Sequence, residues 1–174
     1  MTTLRLGTES DFEAAVAVWR ESDMARRGGP PPPGIEETVR SRLGVAGTWL
    51  SVAEVGDRVV GVTFAQAARA DDGAGEEVPG LCHLSMVFVL PDHWGHGVGR
   101  LLVDATLEQA VARGYRRIQL WTHEGNGRSQ RLYRGRGFRR EGRVKDADYG
   151  GGRIGLWVRD LDDVRSAAPA PGRS

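Results

Sequence analysis

The sequence predicts a mixed α/β fold in which the sheet is partly parallel, and three observations point to it. In the second half, β-rich runs at 81–90 and 116–122 alternate with amphipathic helical stretches at 98–113 and 126–136. That strand–helix–strand–helix order needs crossover connections and therefore parallel strands. In the first half, two β-rich runs at 49–55 and 59–67 are joined by Gly56-Asp57, an antiparallel hairpin signal. A chain of 174 residues with 40% hydrophobic and 27% charged residues is a single soluble domain rather than a disordered or fibrous chain.

The elements follow in order. Leu4–Leu6 is a short strand candidate, after which Thr8 or Ser10 can cap a helix, since a side-chain oxygen there accepts from free N–H groups of the first turn. Phe12, Val16 and Trp19 recur at helical spacing in that helix. Gly28-Gly29-Pro30-Pro31-Pro32-Pro33-Gly34 cannot be helical and reads as a polyproline-like loop before a second helix at 36–43. The hairpin strands come next, then an acidic, Gly-rich loop at 71–80. The run 81–90 reads as a buried strand stopped by Pro91, and 91–99 as a loop. The helix at 98–113 has Leu101, Leu102, Ala105, Leu107 and Val111 as its apolar positions and Gly114 as its stop. After the strand at 116–122 and the helix at 126–136, strands at 137–144 and 154–159 complete the sheet. Residues 1–163 form the predicted domain, and 164–174 a disordered tail, on the Ala-Pro-Gly composition of 167–172.

Charge and cysteine content exclude several functions. The formal net charge is +1, which argues against a general nucleic-acid binder. The distribution is polarised: residues 1–112 carry 9 basic and 16 acidic groups, while 113–145 carry 11 and 2. Cys82 is the sole cysteine, so there is no intramolecular disulfide framework and no Cys-based zinc site. The N-terminus lacks a secretory apolar run, and the longest such run, 86–90, is far short of the roughly 20 residues that span a bilayer. These features predict a cytoplasmic protein with no membrane partner.

The strongest local motif is Pro91-Asp92-His93-Trp94-Gly95-His96-Gly97-Val98-Gly99-Arg100-Leu101-Leu102. A strand stops at proline, three glycines alternate, and a helix begins. Such a turn presents backbone N–H groups beside a helix N-terminus, a combination that suits a phosphate. A ligand-free tight turn is the plain alternative. A dinucleotide fingerprint is excluded because the third glycine of G-x-G-x-x-G is missing, and a P-loop because no Gly-Lys-Ser/Thr follows. Beyond the next strand stands a second motif, Asn126-Gly127-Arg128-Ser129-Gln130-Arg131-Leu132-Tyr133-Arg134-Gly135-Arg136-Gly137-Phe138.

Together these two motifs resemble those of the GNAT superfamily of acyl-CoA-dependent N-acetyltransferases. The first matches its Arg/Gln-x-x-Gly-x-Gly/Ala signature, with Trp94 where Arg or Gln is usual. The second matches its Asn, small residue, Tyr and Gly-Phe order. The resemblance implies a fold with splayed central parallel strands flanked by helices. It implies acetyl-CoA as co-substrate without a metal, and acetyl transfer to an amine by direct attack. The acceptor would be a small-molecule or peptide amine, bound near 24–36 and 145–153; no nucleic acid is expected, and a homodimer is the candidate assembly. A non-catalytic acyl-CoA-binding sensor with the same fold is the alternative function. An RNA-binding protein using the Arg-rich segment is a third.

The resemblance also assigns site residues. Val87, Phe88 and Val89 would hold the pantetheine arm, or serve only as sheet core. Gly95, His96, Gly97, Val98, Gly99 and Arg100 would hold the pyrophosphate. Asn126 and Ser129 would meet the cofactor, although Asn126 also suits a plain N-cap. Tyr133 would be the general acid for the departing thiolate, or simply a core aromatic. For the general base, the position eleven residues before Trp94 is His83, with Ser85 two residues on along the same strand face. His123, Glu124 and water are the other candidates. His93 and His96, at i and i+3 with no further ligand, read as exposed loop histidines. In the run Arg128, Arg131, Arg134, Arg136, Arg139 and Arg140, a few guanidinium groups would attract the cofactor's phosphates.

Overall fold

The structure is a computed structural model that describes residues 1–148 and 151–167. Seven strands form one sheet in the order β1-β2-β3-β4-β5-β7-β6. They are β1 (Thr2–Leu6), β2 (Trp49–Val55), β3 (Arg58–Arg69), β4 (Glu77–Val89), β5 (Arg117–His123), β6 (Arg139–Asp146) and β7 (Arg153–Asp160). The helices are α1 (Phe12–Arg27), α2 (Ile35–Leu43), α3 (Val98–Ala112), α4 (Gly127–Gly135) and α5 (Asp162–Ala167). Neighbours pair antiparallel except β4 and β5, which are parallel and connected through α3. The predicted mixed α/β architecture is therefore present.

Several boundaries differ from the sequence reading. The acidic segment is loop only from 71 to 76, with a short turn at Asp71–Gly73, because β4 already begins at Glu77 and reaches back to pair with Arg69. Residues 164–167, expected in the tail, close helix α5 instead, and Val164 packs against buried residues. The remainder of the expected tail, 168–174, lies outside the described residues. In α3, Leu101 faces outward, while Leu102, Val103, Thr106, Leu107 and Ala110 are buried. None of the described helices is long and apolar enough to cross a membrane.

Two apolar clusters hold the layers together. Trp19, Val16, Val39 and Leu43 of α1 and α2 pack with Val52, Val62 and Phe64 of the hairpin strands and with Leu102 of α3. Leu107 and Ala110 of α3 pack with Ile118, Leu120, Trp157, Tyr133 and Leu161. Gly61 admits α3 onto β3: a Cβ there would stand 2.8 Å from Leu102 Cδ1 and 3.3 Å from the Phe88 carbonyl oxygen. Beside it, the Thr106 hydroxyl donates to Leu102 O at 2.9 Å, so the Thr63 hydroxyl, 2.9 Å from Thr106 Oγ1, is the donor of that buried pair.

One feature of the pairing shapes the site. β4 and β5 pair at Leu81–Arg117, Cys82–Ile118 and His83–Gln119 and no further. On its other side, β4 stays bonded to β3 up to Val89, with an irregularity that leaves Ser85 between Leu84 (opposite Ala65) and Met86 (opposite Phe64). A bulge of this kind bends and twists a strand. Beyond His83, the β5-facing edge of β4 thus has no strand partner among the described residues.

Candidate active site

A cleft of about 1190 Å³ opens where β4 and β5 part. Its walls come from strands β3 to β7 and helices α1, α2, α3 and α4, and they hold most of the residues singled out from the sequence. Val87, Phe88 and Val89 line it along the open edge of β4. Gly95, Gly97, Val98, Gly99 and Arg100 line one end, and Asn126, Ser129 and Tyr133 the adjoining wall. His96 does not reach it; the residue lies on the exposed outer side of the turn.

The glycine turn is built as its sequence requires. Gly95 and Gly97 have φ of +80° and +83°, a backbone region that side chains with a Cβ rarely enter. Gly97 is the residue before α3, and among the described residues no side chain caps that helix. Its first intrahelical bond is Leu101 N–H to Gly97 O at 3.1 Å, so the N–H groups of Val98, Gly99 and Arg100 have no intrahelical acceptor. They carry the helix's partial positive charge toward the cleft.

Trp94 takes a role of its own. Its indole N–H donates to Val89 O at 2.7 Å, which fixes the ring against the end of β4. The Arg128 guanidinium lies 4.3 Å from the ring centroid, within cation–π range. Of the six arginines in the run, only Arg128 lines the cleft. Arg136, Arg139 and Arg140 pair with Asp104, Asp160 and Glu124, and Arg134 lies over Trp157. The expectation that several of them serve the phosphates is corrected on these contacts.

Asn126 both caps α4 and lines the cleft: its Oδ1 accepts from Ser129 N–H at 3.1 Å. Tyr133 is only 7% exposed, its ring edge-on to Phe138 at 5.8 Å between centroids. Burial holds its phenol well above its ordinary range, so the hydroxyl stays protonated.

His83 occupies the floor of the cleft, with Ser85 nearby. Desolvation, reinforced by Arg42 and Lys145, lowers its pKa to about 4, so the imidazole is neutral at neutral pH. His123 also lines the cleft; burial first, and then Arg26 and Arg27 against the opposing Asp23, lower its pKa. Glu124 is not in the wall, since it is turned to Arg140 at 2.6 Å. Cys82 is buried away from the cleft, and burial pushes its thiol up to about 12. Among the described residues no three of His, Cys, Asp and Glu gather in a way that could hold a metal ion.

The far end of the cleft is of mixed charge. Arg26, Arg69, Arg143 and Lys145 stand there with Asp23, Asp71, Asp72 and Asp148. Asp23 is held by Arg26 and Arg27 at 2.6 Å each, and Lys145 lies 3.7 Å from Asp72. The acidic excess of residues 1–112 therefore does not form an acidic wall. Sequence reasoning missed Gln66, Gln119 and Trp121, which also line the site. They sit on strands with no motif of their own, and only the sheet register brings them in.

Comparison with known proteins agrees with this geometry. The chain is 37% identical over 54 residues to an uncharacterized N-acetyltransferase of Archaeoglobus fulgidus, a span covering 31% of this chain and 37% of that protein. Among solved structures it resembles the ribosomal-protein-S18-alanine N-acetyltransferase of Escherichia coli, at a TM-score of 0.73, 16% identity and full coverage of both chains. It also resembles the PaiA N-acetyltransferase of Thermoplasma acidophilum in complex with coenzyme A, at a TM-score of 0.65 and 16% identity, over 92% of this chain and 99% of that one. At such identities these likenesses speak for the fold. The family profile "Acetyltransferase (GNAT) family" matches residues 4–138, so with the split β4–β5 pair and the glycine turn already in place, the chain belongs to the GNAT acetyltransferase family.

Proposed function

We propose that this protein transfers the acetyl group of acetyl-CoA to a primary amine by direct attack, with both substrates bound together in the cleft. The observation that carries this reading is the convergence, in one cavity, of the open edge of β4, the uncapped start of α3 and the Tyr133 side chain. The residues present fit coenzyme A. Three free N–H groups at the start of α3, flanked by Arg100 and Arg128, are donors matched to a pyrophosphate. The β5-facing edge of β4 at Val87–Val89, where Val89 O is already taken by the Trp94 indole, offers its remaining backbone groups to the amides of a pantetheine arm, in the manner of an added strand. Arg128, stacked on Trp94, supplies a hydrogen-bond donor and a positive charge near the position where the family's usual Arg or Gln side chain would stand.

The co-substrate brings an acyl thioester; the chain's residues align the partners and move protons. His83, uncharged and on the cleft floor, accepts the proton that the amine loses as its nitrogen bonds to the acyl carbon. The carbon–sulfur bond breaks, and the Tyr133 hydroxyl gives its proton to the departing thiolate. No acyl-enzyme is needed, since Cys82 is buried, protonated and outside the cleft. The name of the Escherichia coli neighbour specifies a protein alanine as its acceptor, which places peptide amines beside small molecules as candidates here.

The deciding experiment measures thiol release from acetyl-CoA against amino acids, polyamines, aminoglycosides and peptide N-termini. At least one amine should drive release, with the acetylated product found by mass spectrometry. If coenzyme A binds tightly and no amine in the panel releases thiol, the enzyme reading falls and an acyl-CoA sensor replaces it.

A further inference from the structure

Among the described residues, two buried side-chain polar atoms without a hydrogen-bond partner belong to residues of the cleft, Gln66 Oε1 and His83 Nδ1. They are not independent. Gln66 on β3 is the direct register partner of His83 on β4, and Gln119 on β5 is its partner on the other side. All three line the cleft, so one polar row, Gln66–His83–Gln119, crosses its floor at the last register before β4 and β5 part. Directly opposed residues on one sheet face have Cβ atoms about 4.5–5.5 Å apart, a gap that an amide and an imidazole can bridge. Each orphaned atom has given up water for nothing, and each is what the other lacks: an oxygen that only accepts, and a ring nitrogen that can carry a proton.

Gln66 Oε1 and His83 Nδ1 are not bonded to each other in the structure. We propose that Gln66 is a positioning residue for His83 that acts once a side-chain rotation brings them together: its amide oxygen then accepts a hydrogen bond from Nδ1–H and so leaves the lone pair on Nε2 for the substrate amine. This rests on the reading of His83 as the base. A neutral imidazole carries one proton, and the partner at one nitrogen decides which nitrogen is free. With Nδ1–H held by Gln66, the amine's proton goes to Nε2. The resulting imidazolium keeps its Nδ1–H bond to Gln66 until Nε2 returns the proton to solvent water. The bond also opposes the groups that weaken the base. Burial, Arg42 from α2 and Lys145 from β6 all disfavour a charged ring, whereas Gln66, Gln119 and Ser85 are neutral. An acceptor on Nδ1 favours the charged ring, and so raises its basicity.

The test is the ring tautomer of His83, read from long-range proton–nitrogen correlations on the full-length protein with ¹⁵N-labelled histidine, without substrates. Wild type should show Nδ1–H. Gln66→Leu should convert the ring to Nε2–H and lower kcat by roughly tenfold or more, the scale for losing a histidine's outer hydrogen-bond partner, with KM for acetyl-CoA unchanged. Gln66→Glu should keep Nδ1–H and move the acidic limb of the pH–rate profile upward by about a pH unit. An Nε2–H ring in the wild type, or a ring indifferent to Gln66→Leu, overturns the proposal. Should Gln66→Leu fail to fold, the wild-type tautomer and Gln66→Glu still decide it. His83→Gln separates the two ideas: unchanged kcat and pH profile there remove the base, whereas the tautomer reports on Gln66 alone.

Discussion

Replacing Tyr133 with Phe separates chemistry from packing, because only the chemistry should change by much. The ring is buried against Phe138, but among the described residues its hydroxyl has no hydrogen-bond partner. Removing a hydroxyl that faces the cleft and bonds to no described group is close to neutral, within about 1 kcal/mol. For a chain of this length that corresponds to a melting temperature within about 2–4 °C of wild type. The same change removes the proton donor to the thiolate, and loss of a positioned acid costs on the order of 100-fold or more in kcat. Thiol release at saturating acetyl-CoA measures kcat. Scanning fluorimetry measures the melting temperature, and calorimetry with coenzyme A checks that binding is retained. Full kcat in Tyr133→Phe would refute the proton-donor assignment. A melting temperature lower by several degrees would refute the claim that the hydroxyl is structurally idle.

Arg128→Ala should raise KM for acetyl-CoA by about 5- to 30-fold, the scale of one charge-assisted contact, and leave kcat alone; an unchanged KM removes Arg128 from the phosphate site. Gly61→Ala should cost about 1–3 kcal/mol, since its Cβ must displace the buried Leu102 or the backbone of β4, and a chemical denaturation curve equal to wild type would contradict that packing. Asp11, clasped by both terminal nitrogens of Arg5 at 2.7 and 2.9 Å, has its carboxyl lowered to about 2, with Arg5 as the main cause. A carboxylate depressed in the folded state stabilises fully above its unfolded pKa near 4, and that contribution is lost as pH falls from there toward 2. Asp11→Asn should therefore cost about 1–2 kcal/mol at neutral pH, at about 1.4 kcal/mol per pKa unit less solvent screening. The deficit should vanish in acid; a deficit independent of pH would show that the ion pair is not its source.

The site was unevenly legible in the sequence. The glycine turn and the Asn126 cap are local devices: Gly95 and Gly97 take positive φ within one turn, and Asn126 reaches Ser129 three residues away. Short-range chemistry of that kind is written directly in residue order. The strand edges were less legible. β4 extends four residues earlier than the apolar run, because Glu77 pairs with Arg69 despite its charge. The arginine run misled for a related reason: like charges in sequence say nothing about partners, and Asp104, Asp160 and Glu124 arrive from other elements.

By itself the sequence determined the class of fold, the phosphate-suited turn and the family resemblance, since each rests on residue identity at short spacing. Tertiary structure alone decided where β4 leaves β5, because three register pairs on one side and a bulge at Ser85 on the other depend on strands distant in the chain. It also decided that Arg128 lies over Trp94 and that Gln66 stands beside His83. These contacts arise where the chain closes on itself, and sheet register, with its fixed cross-strand spacing, turns residues far apart in sequence into neighbours.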